Sequence, residues 1–264
     1  DVVILFPDGR VSDVQRRMMT TVDAPNVHAV AIDGTFDDCQ AIVKGLFNNH
    51  AFRDRVRLSG VNSINWARIV AQVVYYFVAG AALGAPGRAA RYVVPTGNSP
   101  SMDIMVSSNF ERLLFDAEGR DAGAVRRMMS GLAQSKSFSI GETALAAIRK
   151  EFAAARADEA EVSGTIRATL EEAGYLLDPH TAVGVVAARK VAADPAVPTV
   201  VLSTAHPAKF PDAVEAASGV RPALPAWLGD LMTREERIAH LPNAQEAVEA
   251  YVLEKTRAAV AGAA

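Results

Sequence analysis

Three short polar runs hold the residues whose types and spacing suit chemistry: Asn62-Ser63-Ile64-Asn65-Trp66-Ala67-Arg68, Thr96-Gly97-Asn98, and Ser203-Thr204-Ala205-His206 with Lys209 just beyond it. In the first, Asn62 or Ser63 is placed to cap a helix, which would leave first-turn amides and the positive end of the helix dipole facing an anion. Arg68 lies about a turn further in, and its planar guanidinium matches the oxygens of a phosphate. In the second, Gly97 has no side chain to keep an oxyanion from the backbone. In the third, His206 and Lys209 are candidates for proton transfer. Each run also has a plainer reading: a capped helix with a surface arginine, a loop glycine, a histidine bonded within its own turn.

The elements that would position these runs alternate. Val2–Phe6, the run His28-Ala29-Val30-Ala31-Ile32-Asp33, Arg91–Pro95 and Val197–Ser203 are short apolar stretches of strand formers. Between them lie helical patterns, one opened by Ser12 and Gln15 in capping-box spacing, one by the acids of Gly34-Thr35-Phe36-Asp37-Asp38. From Ser107 to Lys190 the chain reads as mainly helical, broken at Asp178-Pro179-His180, and a helix is expected after Glu246. This alternation predicts an α/β fold of open, mostly parallel sheets with helices on both faces. Pro7-Asp8-Gly9-Arg10, Gly34-Thr35, Gly60-Val61-Asn62-Ser63, Thr96-Gly97-Asn98 and Ser203-Thr204-Ala205-His206 each follow a predicted strand. Carboxyl ends of parallel strands share an edge where ligands bind, although strand-to-helix turns favour Gly, Ser, Asn and Asp in any case.

Composition bounds the rest. The chain has 264 residues, half of them apolar, and a net charge of −3, without the basic stripe that nucleic-acid binding requires. The single cysteine, Cys39, cannot form an intrachain disulfide; in a helical setting it reads as a buried inert thiol in a reducing compartment. The apolar run Ile69–Ala85 is interrupted by Gln72, Gly80 and Gly84 and is predicted to be a buried core helix, not a membrane span. The opening Asp1-Val2-Val3 has no initiating methionine or signal-peptide anatomy and reads as though cut from within a domain. His180 is expected to organise a helix start. His28, His50 and His240 are isolated, and no metal spacing, G-x-S-x-G elbow, Walker loop or dinucleotide fingerprint occurs.

Taken together, the segments GRVSDVQRRMMTT, IDGTFDDCQAIVK, LSGVNSINWARIVAQVVYYF, VVPTGN, SPSMDIMVSSNFERLLF, GYLLDPHTAVGV and STAHPAKF resemble threonine synthase of the longer bacterial and fungal type, in the family's order. The resemblance implies a fold-type II pyridoxal-phosphate enzyme (tryptophan synthase β-like) with two domains and the site between them. It divides this chain into 1–58, part of the smaller domain, and 59–264, the larger cofactor-binding domain with a helical C-terminal elaboration. It also implies a substantial segment between Asn98 and Ser99, and a cofactor-binding lysine in an F-K-D context ahead of Asp1. No such context surrounds Lys44, Lys136, Lys150, Lys190, Lys209 or Lys255, so the Schiff-base lysine is not assigned among them.

By the same resemblance, Thr96, Gly97 and Asn98 would begin the loop that holds the cofactor phosphate. Thr204, with Ser203 second, would meet the pyridine nitrogen, and Asn62, Ser63 and Arg68 would hold the substrate's phosphate. The implied reaction is a β,γ-replacement that turns O-phospho-L-homoserine and water into L-threonine and phosphate, in the cytoplasm, with no metal, nucleic acid or membrane partner. Two alternatives stay open from the residues: another pyridoxal-phosphate lyase such as a serine or threonine dehydratase, and a non-catalytic relative that binds a phosphate ligand.

Overall fold

Apolar runs closed by Pro, Asp or Gly become strands here, and the segments after them become helices where a side chain caps the first turn. The structure, a computed structural model, describes residues 1–61, 65–95 and 110–257. In chain order its elements are β1 (Val2–Pro7), α1 (Asp13–Thr20), β2 (Val27–Ile32), α2 (Phe36–Asn48), α3 (His50–Val56), α4 (Trp66–Ala82) and β3 (Arg91–Val93). Then come α5 (Phe110–Ala117), α6 (Ala122–Ser135), α7 (Glu142–Glu151), α8 (Glu159–Ala173), α9 (Pro179–Lys190), β4 (Thr199–Val201), α10 (Pro211–Ser218), β5 (Ile238–Leu241) and α11 (Gln245–Lys255). The mixture of helices and parallel strands is the predicted α/β class.

The chain divides into two compact units. The first contains Asp1–Ser59, Ala208–Pro211 and the chain from Arg221 onward. Its parallel sheet has the order β1-β2-β5, with Val2 opposite Val27, Pro7 opposite Ile32, and Ile32 opposite Leu241. As the central strand, β2 is covered on both faces and is apolar throughout its buried part. Val30 and Ile32 pack with Cys39, Ile42 and Leu46 of α2, Phe52, Val248 and Val252; Ala29 and Ala31 join Phe6 on the other side. The predicted Ser12–Gln15 capping box opens α1, and a second box, Thr35 with Asp38, opens α2.

The second unit, Gly60–Pro207 with Asp212–Val220, contains the parallel pair β3-β4, registered Arg91 to Thr199 and Val93 to Val201. A cluster of Val162, Ile166, Leu177, Ala182 and Ala217 ties α8, α9 and α10 together.

Three expectations are corrected. The predicted strand before Gly60 is absent: Asn49 caps α3, and Arg57 ends that helix in a left-handed conformation at φ 50°. The cap of α4 is Asn65, whose side chain accepts from the Ala67 amide at 3.0 Å, not Asn62 or Ser63. Nor is α4 a buried helix: Gly80 is its only buried residue, and Trp66 and Phe77 are 66% and 74% exposed. It meets β3 along one narrow line, where the Tyr92 hydroxyl donates to the Tyr76 carbonyl at 3.0 Å, and a pair of three-residue strands covers little of a helix that is apolar on all sides. The compact first unit also holds the chain from Arg221, whose strand β5 hydrogen-bonds to β2.

Candidate functional site

Of the sequence-predicted site residues, Thr204 follows β4 at the carboxyl edge of β3-β4. Pairing continues one residue past the strands, the Leu202 amide donating to the Val93 carbonyl at 3.0 Å. The chain therefore leaves toward Pro95 on one side and Ser203-Thr204 on the other, from the same edge. Helix α9 runs antiparallel to both strands. At its far end the Arg91 guanidinium donates to the Val191 and Ala188 carbonyls at 3.1 and 3.3 Å and to the Thr199 hydroxyl at 3.1 Å. Such donors satisfy carbonyls that a helix end leaves open. Gly184 lets α9 lie close to the sheet, since a Cβ there would sit 2.8 Å from Val201 Cγ1 and 3.0 Å from Pro95 Cγ.

At its near end α9 builds a buried polar anchor. Asp178 caps the helix, accepting from the His180 and Thr181 amides at 2.9 and 3.2 Å, with Pro179 at the first helical position. Asp178 and Thr181 are 1% and 3% exposed. The Thr181 hydroxyl donates to Asp178 Oδ2 and accepts from the Thr204 amide at 3.3 Å; the Ser203 hydroxyl is 3.5 Å away. With its one proton directed to the carboxylate, Thr181 can only accept from the 203–204 segment. Thr204 is thus tied inward by its backbone. Thr204 is an exposed residue, and its own hydroxyl has no hydrogen bond to another described residue.

The remaining predicted residues divide by location. Arg68 is exposed in the first turn of α4, its amide 3.0 Å from the Asn65 carbonyl, and its guanidinium makes no hydrogen bond or ion pair with another described residue. Asn62, Ser63, Thr96, Gly97 and Asn98, and the Asn98–Ser99 junction, lie outside the described residues. His206 belongs to the second unit and Lys209 to the first, where the Lys209 carbonyl accepts from Ser12 Oγ at 2.8 Å. His180 serves the start of α9 through its amide. Cys39 is buried, and burial pushes its thiol pKa up, with Asp38 adding to the effect. Among the described residues no group of three or more His, Cys, Asp and Glu is placed to hold a metal.

The carboxyl edge of the first unit's sheet also forms a shallow cavity of about 320 Å³, lined by Asp8, Ala31, Asp33, His240, Leu241 and Pro242. In it His240 Nδ1 lies 3.3 Å from Asp8 Oδ2. The sequence reading placed Asp8 after a strand but missed Asp33 and His240. It also missed Asp178 and Thr181 as a unit: Asp-Pro followed by Thr signals a capped helix start, but the bond to Thr204 is tertiary.

Comparison with known proteins bears on the family of the chain. Residues 181–252, which include Thr181 and Thr204, match the family model described as threonine synthase, C-terminal. The threonine synthase of Pseudomonas aeruginosa is 44% identical, over 96% of this chain and 64% of its own length. That alignment runs over 301 positions, more than the 264 residues here, so it includes positions with no counterpart in this chain. The Eremothecium gossypii enzyme is 36% identical over the same shares. Among solved structures, PLP-bound threonine synthase from Brucella melitensis superposes with a TM-score of 0.90 at 51% identity, over 97% of this chain and 66% of that one. The yeast threonine synthase gives 0.83 at 32% identity. The chain spans slightly less than two thirds of the length of the relatives it matches. Over the stretch it does span, its sequence and its fold place it in one group: the chain belongs to the threonine synthase family.

Proposed function

We propose that this protein acts as a threonine synthase, a pyridoxal-phosphate-dependent lyase that converts O-phospho-L-homoserine and water into L-threonine and inorganic phosphate. The observation that carries the reading is the Thr204 hydroxyl, open at the carboxyl edge of β3-β4 while the buried Asp178–Thr181 pair holds the backbone behind it. An open hydroxyl on an anchored backbone fits a cofactor ring nitrogen. The likeness to a PLP-bound relative at 51% identity supports the same cofactor.

Pyridoxal phosphate, when bound, supplies an electron sink for the carbanions of the β,γ-replacement. Thr204 would hold the ring nitrogen with a neutral group, leaving it less firmly protonated than a carboxylate would. Thr96, Gly97 and Asn98 would hold the cofactor phosphate. Arg68, with Asn62 and Ser63, would bind the substrate's phosphate and stabilise the charge that develops as it leaves. The cytoplasm is the proposed compartment, in keeping with a lone free thiol; no helix among the described residues is long and apolar enough to cross a membrane.

The phosphate grip separates this reading from a dehydratase, whose substrate carries no phosphate. In the complete protein, Arg68→Ala is expected to raise the KM for O-phospho-L-homoserine roughly 10- to 100-fold, the equivalent of one charge-assisted bond of about 1.5–3 kcal/mol. The absorbance of the bound cofactor should not change. Steady-state kinetics and an absorbance spectrum check both; an unaltered KM contradicts the assignment.

A further inference from the structure

We infer that Thr181 is a positioning residue for the cofactor site: its hydroxyl, oriented by the buried Asp178 carboxylate, fixes the Thr204 backbone so that the Thr204 side chain faces outward from the sheet edge. The inference rests on the reading of Thr204 as the ring-nitrogen partner and adds a role for a residue with no access to the ligand itself. Thr181 is 3% exposed and Asp178 1%, so neither reaches a bound molecule.

Three features argue for positioning over cap stability alone. Asp178 completes the helix cap without the Thr181 hydroxyl, through the His180 and Thr181 amides; the hydroxyl's donation to Oδ2 is an addition to that cap. A buried carboxylate that accepts several bonds holds its partners in one orientation, which commits the Thr181 lone pairs to the 203–204 segment. The bond they receive, from the Thr204 amide at 3.3 Å, is made one residue past Ser203, where the backbone has already left the β4 pairing that ends at Leu202. Residue 204 would otherwise depend on the turn leading into the short 3-10 helix at Pro207–Lys209. Gly184 presses the same helix onto Val201 and Pro95, so the anchor sits on a helix that is itself registered on the sheet.

Thr181→Val keeps the shape and removes the hydroxyl; Thr181→Ser keeps the hydroxyl and is the conservative control. In the protein without cofactor, Thr181→Val is expected to speed hydrogen exchange of the Thr204 amide roughly tenfold, the effect of one hydrogen bond, and Thr181→Ser to restore it. In the protein loaded with pyridoxal 5′-phosphate, Thr181→Val should weaken cofactor retention roughly tenfold and move the cofactor absorbance in the direction that Thr204→Ala moves it. Thr181→Ser should restore both, and the double variant should be no worse than the more severe single one. A Thr181→Val protein that melts at a lower temperature but keeps cofactor spectrum and retention unchanged, while Thr204→Ala alters them, overturns the positioning role and leaves the Thr204 reading standing. If Thr204→Ala itself is silent in spectrum and retention, the Thr204 reading falls, and the inference with it.

Discussion

Thr204 and Cys39 illustrate opposite uses of burial by single residues. The Thr204 side chain is exposed, so Thr204→Val is expected to change stability by no more than about 0.5 kcal/mol, as for surface substitutions in general. Because it removes only a hydroxyl, it should weaken pyridoxal-phosphate retention roughly tenfold, a loss that equilibrium dialysis would measure. Cys39 is enclosed, and burial raises its pKa, which lowers the thiolate fraction at neutral pH and with it reactivity. A disulfide reagent is therefore expected to leave the folded protein unmodified at pH 7 and to titrate one thiol after unfolding; rapid labelling of the native protein would contradict this. The burial of Cys39 was legible from its helical surroundings, whereas the role proposed for Thr204 comes from resemblance. The partner of Thr204 was not legible, because Thr181 lies 23 residues earlier and is joined to it by sheet and helix packing.

Among the elements, α9 and α2 make the most definite predictions. Alanine is a better helix former than glycine by about 1 kcal/mol, yet Gly184→Ala is expected to lower the melting temperature, because a Cβ 2.8 Å from the stiff Val201 side chain costs about 1–3 kcal/mol of overpacking. Thermal unfolding decides between the two effects, and a raised melting temperature would show that α9 shifts freely. In α2, the Thr35 hydroxyl and amide donate to Asp38 and hold its carboxyl below the ordinary value of 3.8. A carboxyl whose folded pKa is lowered contributes stability that is present above the unfolded value and is lost as pH falls through the folded one. Asp38→Asn is thus expected to reduce stability at pH 7 and to bring no further loss at low pH, as denaturant titrations at several pH values would show. Sequence patterns revealed β1 to β4 and the α1 cap because their signals are local. They missed β5, where Ile-Ala-His-Leu is only four residues long and is interrupted by a histidine. They supplied a false strand before Gly60, where apolar residues continue past the end of α3.

For the molecule as a whole, the proposed site draws on residues from distant parts of the sequence, and the chain spans 64% of the length of the Pseudomonas relative. The α/β class and the family were legible because ordered motifs extend along nearly the whole sequence. The exposure of α4 was not: its composition suggests a core helix, but exposure depends on what lies around it. Lysine chemistry is a test at this scale. Lys190 is already bonded to Glu161 and the Arg156 carbonyl, and Lys136 to the Ala133 carbonyl. Borohydride treatment of the protein with pyridoxal phosphate is expected to leave no stoichiometric adduct on Lys44, Lys136, Lys150, Lys190, Lys209 or Lys255, as peptide mass mapping would show. The most direct measurement of the central claim is a product assay on the complete protein loaded with pyridoxal phosphate and supplied with O-phospho-L-homoserine. Inorganic phosphate and L-threonine should appear in equal amounts, and both should fall together in Thr204→Val. Phosphate without threonine, or neither product from a protein that retains its cofactor, would contradict the account.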